Sequence, residues 1–295
     1  MIRKRLISIL TIPSLLGVYG LAHFQLSQIP HKDTTSLIQI QPAEINLPIP
    51  PLKTSQGTLL KRTFSKRLPA ELLTIKHTPK KKDLFIKTLT PLILKSNETI
   101  QKDRERLKKI KQQNSTNQII NSVDEVWVLD LANQHRLDVA SQSFPNLVDT
   151  LLFHHDIYPP ALIMAQAIIE SGWGTSRFSQ EGNALFGLWV WGDEVGMLPR
   201  DRNEGDTHRI KAYKTLQASV DDYILNLNRH PAYSDLRQLR FQLKQANAKM
   251  TGENLAKKLN TYSEMGSDYV DYITTVMEHN NLTRINALKL EPVAQ

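Results

Sequence analysis

The chain has 295 residues, 40% of them hydrophobic, which is enough for one sizeable domain with a packed core. Because it contains no cysteine, a disulfide framework, a thiolate metal site and a cysteine nucleophile are excluded. The net charge of +8 is unevenly spread: residues 1–121 hold 21 Lys/Arg against 7 Asp/Glu, whereas residues 122–295 hold 16 against 22. The basic N-terminal part favours anionic surroundings such as lipid head groups or cell-wall polymer. Because it lacks a nucleic-acid-reading motif, we expect no nucleic-acid partner.

The first 22 residues have the pattern of a targeting segment. Arg3, Lys4 and Arg5 precede an apolar run over residues 6–22 that Pro and Gly interrupt, and small residues at 20–22 offer a cleavage site. The segment predicts either a cleaved signal peptide or an uncleaved signal anchor. Either one implies export to the periplasm or cell envelope, with membrane association through the N-terminus in the second case.

Composition then divides the rest of the chain. Seven prolines and poor apolar periodicity predict a flexible, basic linker over residues 23–80. A folded domain is expected over 81–285, with an N-terminal helical part at 81–140 and a core at 141–285, followed by a tail at 286–295.

Apolar spacing predicts a mainly helical domain with one small β lobe. Alternating apolar residues predict two strands with a charged, glycine-rich loop between them at 192–206, an arrangement that reads as a β-hairpin. The strands are expected at 184–191 and 208–213. Spacing near 3.6 predicts helices at 84–110, 123–137, 144–153, 160–171, 215–228, 236–244, 254–259 and 269–280.

Glu170 is the most informative residue, because a nearly all-apolar helix ends in this carboxylate. Both burial and the negative end of the helix dipole disfavour its ionised form, and a raised pKa suits a general acid. Gly172 and Gly174 stop the helix and leave the acid at the rim of an open space, with Trp173 as an apolar neighbour. The plain structural alternative is a helix-end acid that forms a salt bridge or caps a loop.

The block from Ala165 to Gly174, followed by Asn-Ala-Leu-Phe-Gly at 183–187, resembles the bacterial glucosaminidases of glycoside hydrolase family 73. Segments at 205–208, 225–230 and 259–264 resemble their Bax-like subgroup, so the similarity covers roughly residues 81–282. The resemblance implies a lysozyme-like α+β fold with a β-hairpin lobe over an active-site cleft. It also implies cleavage of the β-1,4 bond after N-acetylglucosamine in peptidoglycan, with Glu170 as proton donor.

Several groups are candidates for the second catalytic role. Glycoside hydrolysis generally uses another carboxylate, and the resemblance points to an acid of the β lobe; Glu204 is the first candidate, with Glu194 and Asp201 as competitors. Alternatively the acetamido oxygen of the substrate attacks the anomeric carbon. Tyr262, where the resemblance places a functional tyrosine, would then orient the N-acetyl group or the water.

Further residues are candidates for substrate binding. Tryptophan faces stack on pyranose rings, so Trp173, Trp189 and Trp191 are candidate sugar platforms, although at least one belongs to the core. Three more residues are candidates, and for Asn183 the structural alternative is that it caps a turn. Asn183 and Phe186 form the turn before the predicted strand, and Asp222 occupies a place where the related enzymes also show an acid, while remaining consistent with an ordinary first-turn helix acid.

No cofactor is expected. His154 and His155 are adjacent without a spaced partner such as HExxH, so no metal site is predicted, and a phosphate loop and a nucleophile elbow are lacking. The leading function is a monomeric peptidoglycan hydrolase acting on glycan strands. The alternatives are a lytic transglycosylase on the same fold, a non-catalytic wall-binding or scaffold protein, and lipid or nucleic-acid binding through the basic segment.

Overall fold

A computed structural model describes residues 52–54, 57–116, 118–192, 194–199, 208–259 and 267–293. Within these residues the chain is mainly helical with two small sheets, so the predicted mainly α, α+β class is confirmed. The predicted signal segment 1–22 and most of the predicted linker lie outside the described residues.

One long helix organises the fold. After a short helix α1 (Glu71–Thr74), helix α2 (Thr78–Ser115) runs for 38 residues, or about 57 Å. Its N-terminus is capped by the His77 side chain, which accepts a hydrogen bond from the Lys80 backbone N–H. Two separate hydrophobic clusters pack along it, one on each half.

The larger cluster surrounds helix α5 (Pro160–Ser171), in which ten of twelve residues are buried. A helix that is apolar all round must be enclosed by other elements. The enclosing elements are α2, α9 (Gly252–Ala256), α10 (Ser267–His279) and the 3-10 turn Leu282–Ala287. The helix that carries Glu170 is therefore the centre of the core.

The smaller cluster joins the C-terminal half of α2 to α3 (Ser122–Gln134) and α4 (Phe144–His154). Leu131 and Ala132 are buried there and Trp127 packs at its edge. Three further α-helices belong to the described chain. Two of them were predicted, and their observed ends lie within two residues of the predicted ends. The three helices are α6 (Arg177–Gly182), α7 (Leu216–Arg229) and α8 (Ser234–Gln245).

The predicted hairpin is a three-stranded antiparallel sheet in the order β3-β5-β4. β3 (Trp189–Val190) is much shorter than the predicted strand at 184–191, and β5 is Arg209–Lys211. An additional strand, β4 (Gly196–Met197), lies in what the sequence predicts as loop; Met197 and Trp189 both lie opposite the buried Ile210. The shortening follows from residues 184–186, which are buried as irregular chain instead of pairing.

The structure extends the folded domain at both ends, beyond the predicted start at residue 81 and the predicted end at residue 285. Within the predicted linker, β1 (Leu52–Thr54) pairs with β2 (Gly57–Leu60), and β2 pairs in parallel with β6 (Lys289–Leu290), which lies in the predicted tail. Residues 57–77, called the strap from here on, then cross the larger cluster, where Leu68 and Leu72 are 7% and 0% exposed. The sequence analysis missed this packing because single side chains, and not a periodic apolar face, anchor the segment to the core.

None of the helices in the described part of the chain combines the length and the apolar composition needed to cross a bilayer.

Candidate active site

The site is built around the C-terminus of α5. Gly172, Trp173 and Gly174 all adopt positive φ, at 57°, 59° and 73°. The Ser171 hydroxyl donates to the Ala167 carbonyl and accepts the Gly174 N–H at 2.8 Å, which fixes the turn. A positive φ at a residue as bulky as tryptophan is rare and costs energy, and such strain is concentrated at functional sites.

The Glu170 carboxyl is half-buried at the end of this helix. Burial raises its pKa to about 7, and the only opposing effect is a hydrogen bond of 2.9 Å that the Tyr269 phenol donates to Oε1. No lysine or arginine of the described residues pairs with it. Within the described residues Glu170 therefore forms no salt bridge, and a large fraction of the carboxyl is protonated at neutral pH.

Two tyrosines of α10 face Glu170. Tyr269 is 1% exposed, and burial and the neighbouring carboxylate raise its pKa well above the ordinary value. The phenol therefore keeps its proton and can donate it in the hydrogen bond to Glu170. Tyr272 lies one turn later and is 44% exposed; burial and the charge of Glu170 raise its pKa as well. Sequence reasoning missed both, because nothing local indicates that α10 packs on α5 about 100 residues away.

Gln166 lies one helical turn before Glu170 on α5 and is fully buried. It lies close enough to the Tyr269 phenol to lower its pKa. Nothing in the apolar pattern of the helix distinguishes this glutamine from a core position, so the sequence analysis passed over it.

Trp173 is held against α2. Its ring meets Phe85 edge to face at 5.9 Å, and Lys82 Nζ lies 4.8 Å from the ring centroid. The Lys82 ammonium also donates to the Asn280 side chain, and burial lowers its pKa. The indole is thus partly used in packing, and its role as a sugar platform stays a prediction.

The other two tryptophans lie in the small sheet. Trp191 is 55% exposed, whereas Trp189 is half-buried and stacks on His208 with ring centroids 3.6 Å apart. The two indoles meet edge to face at 6.2 Å. Trp191 offers the larger open surface, and both remain predicted platforms.

Asn183 and Phe186 are buried in the interior. Asn183 is 0% exposed, ends α6 with φ of 51°, and donates to the Tyr213 carbonyl at 2.9 Å. Phe186 is 3% exposed and stacks on Tyr223 with centroids 3.9 Å apart. Asn183 thus has the contacts of a turn cap and Phe186 those of a core residue, and a role of either in substrate binding stays a prediction.

Asp222 is the centre of an ion-pair network. Lys211 Nζ lies at 2.8 Å, Arg229 at 3.6 Å, and the Tyr213 phenol donates to the carboxylate at 2.8 Å. Burial and this carboxylate raise the pKa of Tyr213 above its ordinary value. Asp222 borders a cavity of about 550 Å³ between α2 and α7 whose lining does not include Glu170. The contacts therefore account for Asp222 through its role in holding β5 to α7.

Most of the candidates for a second catalytic group are not described by the structure. Glu204, Asp201 and Tyr262 are outside the described residues. Glu194 is described: its side chain is mostly exposed and lies 3.8 Å from Lys211 Nζ. The assignment of Glu204 or Tyr262 stays a prediction.

Among the residues the structure describes, no group of three or more His, Asp or Glu side chains is arranged to hold a metal ion. His155 is part of a buried chain of contacts in which its Nδ1 meets His135 Nε2 at 3.0 Å and its Nε2 meets Asp103 at 3.2 Å. Burial lowers the pKa of His135 to about 2, so that ring is neutral.

Comparison with known proteins adds to this geometry. Residues 147–282 match the glucosaminidase family, described as mannosyl-glycoprotein endo-beta-N-acetylglucosaminidase. Protein bax of Escherichia coli (strain K12) is 30% identical over 203 residues, which are 69% of this chain and 70% of that protein. The crystal structure of the catalytic domain of the autolysin Auto from Listeria monocytogenes matches with a TM-score of 0.35 and 17% identity, over 60% of this chain and 96% of that one.

The matched segment contains the helix that carries Glu170, the small sheet and α10, so the family assignment and the site geometry concern the same part of the chain. The chain belongs to the glucosaminidase family, glycoside hydrolase family 73, and is a relative of protein bax.

Proposed function

We propose that the protein is a peptidoglycan hydrolase that cleaves the β-1,4 glycosidic bond after N-acetylglucosamine, with Glu170 as general acid. Family membership supports glycosidase activity. The observation that carries the residue assignment is a half-buried carboxyl with a pKa of about 7 and no cationic partner among the described residues. A general acid works best when its pKa lies near the working pH.

Tyr269 holds this acid in place. Its phenol donates to Glu170 Oε1, so the other carboxyl oxygen, Oε2, is left to carry the proton toward the substrate. The same hydrogen bond stabilises the carboxylate that forms once the proton has left. Tyr269 acts through Glu170 and is therefore a positioning residue.

The reaction follows from these roles. Protonated Glu170 donates its proton to the glycosidic oxygen as the bond to the anomeric carbon breaks, and positive charge develops on the sugar ring. Water then attacks that carbon, either with Glu204 as base or after transient attack by the substrate acetamide that Tyr262 orients. The ionised Glu170 recovers a proton when the water is deprotonated or from solvent.

The proposed substrate also places the protein in the cell envelope. An exported protein, whose first 22 residues direct it to the periplasm or anchor it to the membrane, would meet peptidoglycan there. Glycan strands are the proposed partner, and no cofactor enters the reaction as written.

Digestion of purified sacculi tests the proposal. The parent protein should release fragments ending in reducing N-acetylglucosamine, and Glu170→Gln should lose activity by a factor of at least about 100, as expected for removal of a general acid. Glu278→Gln, on the exposed side of α10, is the matched control and should retain the parent rate.

Mass spectrometry of the products separates the alternatives. Anhydro products lighter by one water would identify a lytic transglycosylase instead. If Glu170→Gln digests sacculi as fast as the parent, Glu170 is not the acid, and if the parent digests none, the wall-binding alternative gains.

A further inference from the structure

The strap and the start of α2 carry an unusual concentration of positive charge. Residues 61–82 contain eight Lys/Arg and one acid, Glu71. Arg62 is paired with Glu98, and Lys82 is bonded to Asn280. The other six have no carboxylate partner among the described residues, and all but one of the six are exposed; the five that follow Lys61 are called the basic patch. This basic patch consists of Lys66, Arg67, Lys76, Lys80 and the half-buried Lys81.

Part of the patch lies near the turn Gly172–Gly174 that follows Glu170, called the catalytic turn from here on because of the role proposed for Glu170. Leu68, the next residue after Arg67, approaches Gly174 so closely that a Cβ on that glycine would lie 2.9 Å from Leu68 Cδ1. The Lys66 carbonyl accepts the backbone N–H of Leu216 at 3.0 Å, which fixes the strap on the other side. Lys82, next to the patch in α2, lies over the Trp173 ring. The strap thus fixes Lys66 and Arg67 near the turn that follows Glu170, and Lys80 and Lys81 directly precede Lys82 in α2.

Their position is costly to the fold. Lys80 and Lys81 lie in the first turn of α2, where the helix dipole already contributes positive charge, and this turn contains no acid. By contrast, α3 carries Asp124 and Glu125 in its first turn. Departures from local preference of this kind are expected where a surface serves binding.

We propose that the basic patch binds the carboxylates of the peptide stems that substitute the glycan strand. This inference rests on the proposed function. The sugar backbone of the substrate offers few charges, whereas free carboxylates on the stems are the main negative groups of peptidoglycan. Because the patch adjoins the catalytic turn, a stem attached to a sugar near Glu170 is the anion that reaches it first. The bound stem raises the local concentration of glycan at the cleft.

The test compares, in the full chain, charge reversal in the basic patch with charge reversal in the C-terminal half of α2. Arg67→Glu/Lys80→Glu alters two exposed patch residues, and Lys108→Glu/Lys109→Glu alters two exposed residues about 42 Å along the same helix. Two substrates are used: soluble glycan chains with their stems, and the same chains after an amidase has removed the peptides. The measurement is kcat/KM on each.

We expect the patch variant to lose roughly tenfold in kcat/KM on stem-bearing chains and to stay within about twofold of the parent on stripped chains. The control variant should match the parent on both. The loss should disappear at about 1 M salt, where charges are screened beyond roughly 3 Å. The unfolding temperature of the patch variant should not fall, which separates charge recognition from misfolding.

An equal loss of kcat/KM on both substrates, or no loss on either, would overturn the proposal. Binding to phosphatidylglycerol vesicles is measured in parallel. If the patch variant loses only this binding, the patch recognises a lipid surface and the proposal is also wrong. Binding to stem-bearing chains in a Glu170→Gln background gives a readout without catalysis. Since that readout does not need turnover, failure of the hydrolase proposal and failure of the stem proposal are distinguishable.

Discussion

At the scale of single residues, the site depends on one carboxyl whose proton affinity is set by its surroundings. Glu170 is desolvated by burial, and among the described residues its one hydrogen-bond donor is the neutral phenol of Tyr269. A cation in the place of Tyr269 would ionise the acid permanently at neutral pH. The identity of this neighbour is therefore as important to the chemistry as the acid itself.

Tyr269→Phe should move the pH dependence of activity. The Tyr269 hydrogen bond lowers the pKa of Glu170, so its loss leaves desolvation unopposed and raises that pKa above about 7. A general acid is lost as the pH rises through its pKa, so the alkaline limb of kcat/KM should shift upward, by up to about one pH unit. The rate should also fall because the carboxyl is less well oriented.

Tyr213→Phe is the matched control, since it also removes a phenol that donates to a carboxylate, here that of Asp222. It should leave the alkaline limb where it is. A limb that moves equally in both variants would show that the shift comes from general loosening of the fold.

Glu170→Gln should stabilise the protein in a pH-dependent way. The folded carboxyl has a pKa of about 7 against an ordinary 4.5, so between these values the folded chain binds more protons than the unfolded chain. Stability contributed by this group is therefore lost as the pH rises from about 4.5 to 7. Glutamine cannot ionise, so the variant should gain on the order of 1–3 kcal/mol relative to the parent at pH 8 and little at pH 4.

Urea unfolding at the two pH values measures this difference. The same relative stability at pH 4 and pH 8 would mean that the carboxyl of Glu170 is well hydrated in the folded protein.

At the scale of elements, the sequence predicts what is local and misses what is assembled across long separations. The apolar run of α5, its glycines and its terminal acid lie within 15 residues, so the helix, its end and the acid follow from periodicity and backbone preference. Tyr269 lies 99 residues from Glu170, and no pattern in α10 indicates that contact. Likewise Asn183 and Phe186 are sequence neighbours of the site, yet packing turns both inward.

The turn that ends α5 gives a prediction at this scale. A Cβ on Gly174 would lie 2.9 Å from both Leu68 Cδ1 and Phe85 Cε2, and its φ of 73° is already unfavourable for alanine. Gly174→Ala should therefore destabilise the protein by about 1–2 kcal/mol from the backbone and by a further 1–3 kcal/mol from overpacking.

Gly192→Ala isolates the first of these costs. Gly192 also has a positive φ, of 65°, but a Cβ there meets nothing within 4 Å. Its unfolding free energy should drop only by the backbone contribution. Equal losses in the two variants would show that strap and α2 are not pressed against the catalytic turn.

At the scale of the whole molecule, the strap shows why composition misplaced the domain boundary. Prolines and weak periodicity describe a segment without regular structure, but a segment can lack regular structure and still be packed. The strap is held by two buried leucines, by the pairing of β2 with β6 and by Arg62, whose guanidinium donates to the Glu291 carbonyl. The last two contacts join residues more than 200 positions apart and leave no periodic signal.

Leu72 and Leu73 provide the sharpest test of the corrected boundary, because these neighbours of identical type are 0% and 56% exposed. Leu72→Ala opens a cavity in the larger cluster and should lower the free energy of unfolding by about 2–5 kcal/mol. Leu73→Ala should change it by no more than about 0.5 kcal/mol, as is usual for exposed positions. If residues up to 80 were a flexible linker, neither substitution would change the free energy of unfolding. Denaturant titration of both variants therefore distinguishes a folded strap from a tether.

By the same reasoning, a chain that begins at residue 81 should be less stable than one that begins at residue 57, because it lacks both Leu68 and Leu72 from the core that supports Glu170.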